Sequence, residues 1–183
     1  MPLPIAHGLM GASMVAAFRP HNSLKHDWKF LLLGAFLGIL PDFDYALSWL
    51  RVGGRTWHHD FTHSILFAFL TGLITAAVIN HLNFRGHFSF RDVMTYFLAM
   101  LSHPILDFLF TESRGVELFW PFSGKLFKFG LQPPLSYNWR LRPLSAKITD
   151  IVELCLFELA VFTSILLMIL WVKGRIWLDQ EKI

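Results

Sequence analysis

The 183 residues are 54% hydrophobic and 16% aromatic with only 16% charged and a mean hydropathy of +0.48, which excludes an ordinary soluble domain and points to an integral membrane protein. A formal charge of +3 and a pI near 9.2 would suit a nucleic-acid partner, but the lysines and arginines are spread over all polar stretches with no stripe or DNA-reading motif, so none is expected. Cys155 is the lone cysteine, which excludes an intrachain disulfide and a Cys-rich zinc site.

Apolar segments run over 5–18, 30–50, 64–80, 93–111 and 151–172. They predict an all-α membrane protein, a compact bundle of four to five transmembrane helices, some short or kinked, in a single domain over residues 1–183. The first segment follows Met-Pro-Leu-Pro-Ile-Ala-His, which lacks the basic start and cleavage site of a secretory signal, so it is expected to stay attached. His7 stands near its start.

The second segment is interrupted at Pro41, followed by Asp42 and Asp44. Proline disfavours helix in the residue before it and frees a carbonyl, so a helix restart is predicted there. The stretch Thr56-Trp57-His58-His59-Asp60-Phe61-Thr62-His63-Ser64 reads as a turn into the third segment, with Asp60 or Thr62 placed to cap the helix. In the fourth segment His103 and Asp107 are four apart, so a helix presents both on one face, and Pro104 predicts a kink rather than a break. An aromatic and basic stretch follows from Gly115 to Lys128, compatible with an interfacial belt or with a lid over an anionic headgroup carrying Arg114, Lys125 and Lys128. In the fifth segment Glu158 lies deep enough to need a partner, and a hydrogen-bonded packing role is favoured over a site role for it and Glu153. Trp49, Trp57, Trp120 and Trp171 fall near segment ends, where interface anchors belong.

A charged side chain at the centre of a membrane helix costs roughly 2.5–3.5 kcal/mol, so the acids and histidines mark a site by default. Threading five segments alternately through a bilayer brings His7, Asp42, Asp44, His58, His63, His103 and Asp107 to one leaflet, whereas scattered core residues would divide between both. A polar metal site near one membrane face is the consequence. His21, His26, His81 and His87, in the polar loops, are read as structural or surface residues rather than ligands. Lysines and arginines divide evenly between the two sides, so the orientation of the site is not set.

The series His7-Gly8-Leu9-Met10-Gly11, Leu40-Pro41-Asp42-Phe43-Asp44, His58 to Ser64, Ser102-His103-Pro104-Ile105-Leu106-Asp107 and Gly115 to Ser123 resembles the YdjM-like membrane-bound, predicted metal-dependent hydrolases of bacteria and archaea. The resemblance covers roughly residues 5–125. That family reads His-Arg-Gly ahead of Thr-His-Ser; His58 and His63 match, while His59 stands in place of the arginine and Asp60 of the glycine. The choice between His58 and His59 therefore stays open, and Asp60 is a further donor. The family is distantly similar to zinc-dependent phospholipase C and the single-strand-specific zinc nucleases.

The resemblance implies His7, Asp42, His58, His63, His103 and Asp107 as ligands of one or two divalent ions in a prokaryotic inner membrane, with zinc first and manganese or iron as alternatives. Asp42 or Asp107 would bridge, and Asp44 would support a ligand or act as general base. Such a centre suits hydrolysis of a phosphoester by an activated water, with a lipid or amphipathic substrate reached from the headgroup level. The alternatives are a non-catalytic protein with a structural metal, or a metal or proton transporter; the latter would show internal repeats, which the sequence lacks. The absence of His-Glu-Xaa-Xaa-His disfavours an intramembrane protease of the zincin kind.

Overall fold

Backbone that enters a bilayer must satisfy its own hydrogen bonds, and this chain does so with helices. The computed structural model describes residues 2–19, 24–49, 59–82, 89–110, 115–131 and 144–180. In chain order the helices are α1 (Pro4–Phe18), α2 (Leu24–Ile39), α3 (Asp44–Trp49), α4 (Ile65–Leu82), α5 (Phe90–Phe110) and α6 (Leu144–Gln180). Single 3-10 turns at Leu40–Phe43 and Phe61–His63 introduce α3 and α4. The described residues form no sheet, only an isolated antiparallel bridge between Val116 and Phe127.

Among the described residues three helices are long and apolar enough to cross a membrane: α4, α5 and the Ser145–Gly174 part of α6, with α1 a shorter apolar helix. Burial separates their roles. Of the apolar window in α5, 56% is buried, against 22% in α4 and 6% in α6, so α5 is the central post and α6 turns most of its surface outward. Around α5 gather Val15, Leu37, Ala76, Val93, Tyr96 and Ala99 from α1, α2, α4 and α5.

The second apolar segment, expected over 30–50, begins six residues earlier and ends as α-helix at Ile39, because Pro41 converts the next turn to 3-10 before α3 restarts. The fourth keeps its helix through Pro104, as a kinked rather than broken element would. The last helix is longer than its apolar run of 151–172: its 37 residues span about 55 Å, well beyond the roughly 30 Å of hydrocarbon.

Glycine sets the distance between α1 and α2. A Cβ on Gly38 would lie 2.2 Å from the carbonyl oxygen of His7, and one on Gly11 would lie 2.2 Å from that of Gly34. No side chain fits at either crossing, which is how small residues bring membrane helices into backbone contact. The contact also fixes His7 beside the end of α2.

Gly38→Ala is expected to lower stability by about 1–3 kcal/mol, the usual cost of overpacking a tight contact. Thermal unfolding followed by circular dichroism in detergent measures it. Gly124→Ala, where a Cβ meets nothing within 4 Å, serves as the unaffected comparison.

Candidate metal centre

Two 3-10 turns, the start of α1 and the last turns of α5 bring the polar residues together at one end of the bundle. His7 occupies the first turn of α1; Asp42 lies in the 3-10 turn after α2; Asp44 opens α3; His59 and His63 precede α4. His103 and Asp107 lie one turn apart near the end of α5.

The turn from His59 to Ser64 is held by its own backbone: the amide of His63 donates to Asp60 O and that of Ser64 to Phe61 O, both at 3.1 Å. Ser64 caps α4, its hydroxyl oxygen accepting from the amide of Phe67 at 3.1 Å. The expected cap at Asp60 or Thr62 is thereby corrected, because the intervening 3-10 turn moves the helix start to Ile65 and releases Thr62 for another partner. The Thr62 hydroxyl donates to Asp44 Oδ2 at 2.8 Å.

His59 has φ 69°, a left-handed conformation costing a non-glycine residue on the order of 1–3 kcal/mol. Contacts on both sides hold it there. Its amide donates to Asp44 Oδ2 at 3.3 Å, its carbonyl accepts from the amide of Glu117 at 3.0 Å, and its Nδ1 bonds Gly115 O at 3.1 Å. The segment 115–131 is thus tied to the site through the backbone of its first residues.

Three imidazoles are oriented in the same way. His59 Nδ1 donates to Gly115 O, His103 Nδ1 to Gly38 O at 2.7 Å, and His63 Nδ1 to Thr62 Oγ1 at 3.0 Å, with Asp44 Oδ2 behind it at 3.4 Å. A neutral imidazole that donates through Nδ1 presents a lone pair on Nε2. Those Nε2 atoms point at Asp107: His63 and His103 at 3.3 Å and His59 at 3.6 Å from Oδ2, while His7 Nε2 lies 3.6 Å from Oδ1. His63 Nε2 and His103 Nε2 are 3.1 Å apart, and Asp42 Oδ1 is 3.5 Å from His103 Nε2.

Carboxylate oxygens and Nδ1-anchored imidazoles facing one another are all lone-pair acceptors, an arrangement that a cation would satisfy. With metal–ligand bonds near 2.0–2.1 Å, neighbouring ligand atoms are expected about 3 Å apart, close to the spacing here. Three overlapping groups have this character: His7, His103 and Asp107; Asp42, His63 and His103; His59, His63 and Asp107. Both nitrogens of His7, both oxygens of Asp107 and Asp42 Oδ1 are buried with no hydrogen bond among the described residues. An all nitrogen and oxygen set fits zinc, manganese or iron(II).

Of the residues singled out in the sequence, the structure brings His7, Asp42, His63, His103 and Asp107 to one cluster and adds His59, which had stood beside His58 as an alternative. His58 lies outside the described residues. Asp44, 1% exposed, stands behind His63 and orients it through Thr62 rather than facing the cluster. Asp60 is buried but belongs to none of the three groups. Sequence reasoning missed the carbonyls of Gly38 and Gly115 and the hydroxyl of Thr62. The Gly34 to Gly38 spacing, a small-residue signature of close helix contact, pointed to the first of these.

The family described as YdjM inner membrane protein matches residues 1–179. The chain belongs to that family. This YdjM-family chain is 34% identical over 102 residues to the inner membrane protein YbcI of Escherichia coli (strain K12), a match covering 54% of the chain and 57% of that relative. The matched stretch therefore spans little more than half of the curated relative's length. Family and relative are inner membrane proteins, and with apolar helices of spanning length the chain is an integral inner membrane protein too. No solved structure matches it.

Removing an orienting group behind a ligand typically lowers metal affinity 10–100-fold. Asp44→Ala is accordingly expected to weaken zinc binding to the detergent-purified protein by that factor in a competition titration, and Asp107→Ala to abolish it. Asp60→Ala should bind within about threefold of the parent chain; equal loss at Asp60 and Asp107 would contradict the grouping.

Proposed function

We propose that the chain is a metal-dependent hydrolase of the inner membrane that acts on a phosphoester, most suitably one carried by a lipid. The observation that carries this reading is the double use of Asp107, whose Oδ1 faces His7 while Oδ2 faces His59, His63 and His103. A carboxylate with separate partners on its two oxygens is suited to bridging two ions or to closing a single one, and His7, Asp42, His59, His63 and His103 complete the ligand set. Divalent ions held there would supply a nucleophilic water at neutral pH and neutralise charge on a phosphoryl oxygen.

The chain's own residues have separable tasks. Asp44 and Thr62 fix the His63 ring, and the Gly38 and Gly115 carbonyls fix His103 and His59. Asp42 is the most accessible member, its side chain 13% exposed where that of Asp107 is fully buried, so it marks the rim where substrate would enter. At the same end of the bundle Phe43, Trp49, Trp120 and Phe122 are 58%, 84%, 40% and 86% exposed. Aromatic side chains of this kind settle at the headgroup level, and Lys125, over the ring of Phe127, suits an anionic headgroup. This favours lateral entry of a lipid phosphoester over capture of a soluble one.

Placement at helix ends on one side, rather than at mid-bundle, argues against a transport pathway. A structural metal is the second reading, favoured by the complete burial of His7, His63, His103 and Asp107, since closed sites hold structural ions and open ones do chemistry.

Metal-loaded protein in mixed micelles is expected to hydrolyse a phosphodiester or phosphomonoester reporter, and Asp42→Asn, which replaces a charged ligand by a neutral one, to lower metal affinity and turnover together. Stoichiometric metal with no turnover of either reporter, in detergent or in lipid vesicles, would leave the structural reading in its place.

A further inference from the structure

α6 turns most of its surface outward, yet two of its charged side chains end on α1. The carboxylate of Glu158 accepts from the amide of Leu3 through Oε1 at 2.8 Å and from the amide of Ala6 through Oε2 at 3.3 Å. The ammonium of Lys173 donates to Ala16 O at 2.8 Å and to Arg19 O. Anion at the first turn and cation at the last match the two ends of the α1 dipole. The two helices run parallel: Glu158 and Lys173, fifteen residues apart, grip a helix of 15 residues, about 22 Å in each case.

The first turn of α1 needs an outside acceptor. Its N-cap position is Leu3, which has no side-chain cap, and Pro4 follows. Amides at such an end are orphans that a bilayer does not solvate. Glu158, itself 3% exposed, accepts from the amide of Leu3 and shares the amide of Ala6 with the carbonyl of Leu3, which accepts it at 3.1 Å.

His7 lies one residue beyond Ala6 and differs from the other imidazoles of the cluster. His59, His63 and His103 are each anchored through Nδ1, whereas neither nitrogen of His7 makes a hydrogen bond among the described residues. Its ring stacks on His103, centroids 3.7 Å apart at 22°, and its Nε2 faces Asp107. Stacking leaves the ring free to slide, so where Nε2 sits along the cluster is decided by where α1 begins.

We infer that Glu158 is a positioning residue for the metal centre: by holding the amides of Leu3 and Ala6 it sets the depth of α1 and so brings His7 Nε2 to Asp107. α6 is then part of the site although it contributes no ligand. The inference rests on the reading of the cluster as a metal centre.

The test is zinc affinity by competition titration of the detergent-purified full chain, with the absorption spectrum of the cobalt-substituted protein as the report of the ligand shell and thermal unfolding of the metal-free protein beside it. Glu158→Ala is expected to lower zinc affinity about 10–100-fold, as loss of a group supporting a ligand does, and to alter the cobalt spectrum as the His7→Ala change does. Glu158→Gln, which keeps an acceptor, should recover most of that loss and carries the test if the alanine variant does not fold. Lys173→Met, at the far end of α1, should lower thermal stability of the metal-free protein yet leave affinity within about twofold. Parental affinity and spectrum in Glu158→Ala and Glu158→Gln would overturn the positioning role alone, as would equal losses of affinity in Glu158→Ala and Lys173→Met. A parent chain that binds neither ion would overturn the metal reading and this inference with it.

Discussion

The carboxylate of Asp107 lies fully buried with imidazole nitrogens of His7, His59, His63 and His103 at 3.3 to 3.6 Å, and much of the fold serves to keep that arrangement in register. A buried anion is costly unless it is paired or holds a metal, and the cost rises with the depth of apolar material around it. The four histidines come from three stretches of chain far apart in sequence. His103 meets Asp107 by helical spacing on α5, whereas His7 reaches it through an unusually close backbone contact and His59 and His63 through a departure from regular helix.

Glycines at the α1–α2 crossing bring His7 within reach, and the carbonyl of one of them, Gly38, holds the ring of His103. Pro41 ends α2 where continuing it would carry Asp42 and Asp44 away from the cluster, and the 3-10 turn lets Asp42 approach His103 while Asp44 turns behind His63. The left-handed backbone at His59 is held between Asp44 and the residues from Gly115 to Glu117, which ties the strained turn to the aromatic segment 115–131. Support for the histidines comes mainly from backbone carbonyls, a hydroxyl and one carboxylate, all on buried residues.

Part of this is legible in the sequence for physical reasons. His103 and Asp107 share a helix face by spacing alone, Pro41 marks its own break, and alternate threading of apolar segments puts the polar residues at one end because chain direction alternates with each crossing. The choice of His59 for the cluster is a different matter. Its ring direction follows from a positive φ fixed by partners at positions 44, 115 and 117, which no local pattern encodes. Asp44 reads from sequence as a ligand or base as easily as a support, since only the placement of Thr62 turns it away from the cluster. The partner of Glu158 is separated from it by 155 residues, and the true length of α6 exceeds its apolar run because helix continues beyond the hydrocarbon. Family membership and an inner-membrane location follow from the match over residues 1–179; the chemistry rests on the cluster itself.

Extended X-ray absorption at the zinc edge of the detergent-purified protein tests the central claim most directly, because it reads the atoms around the ion without reference to any substrate. The account predicts a shell of nitrogen and oxygen alone at about 2.0–2.1 Å, with the outer scattering of at least two imidazoles, lost on replacement of Asp107 by alanine. A chain that carries no metal after zinc loading, or one whose shell holds the sulfur of Cys155 or lacks imidazole, would contradict it.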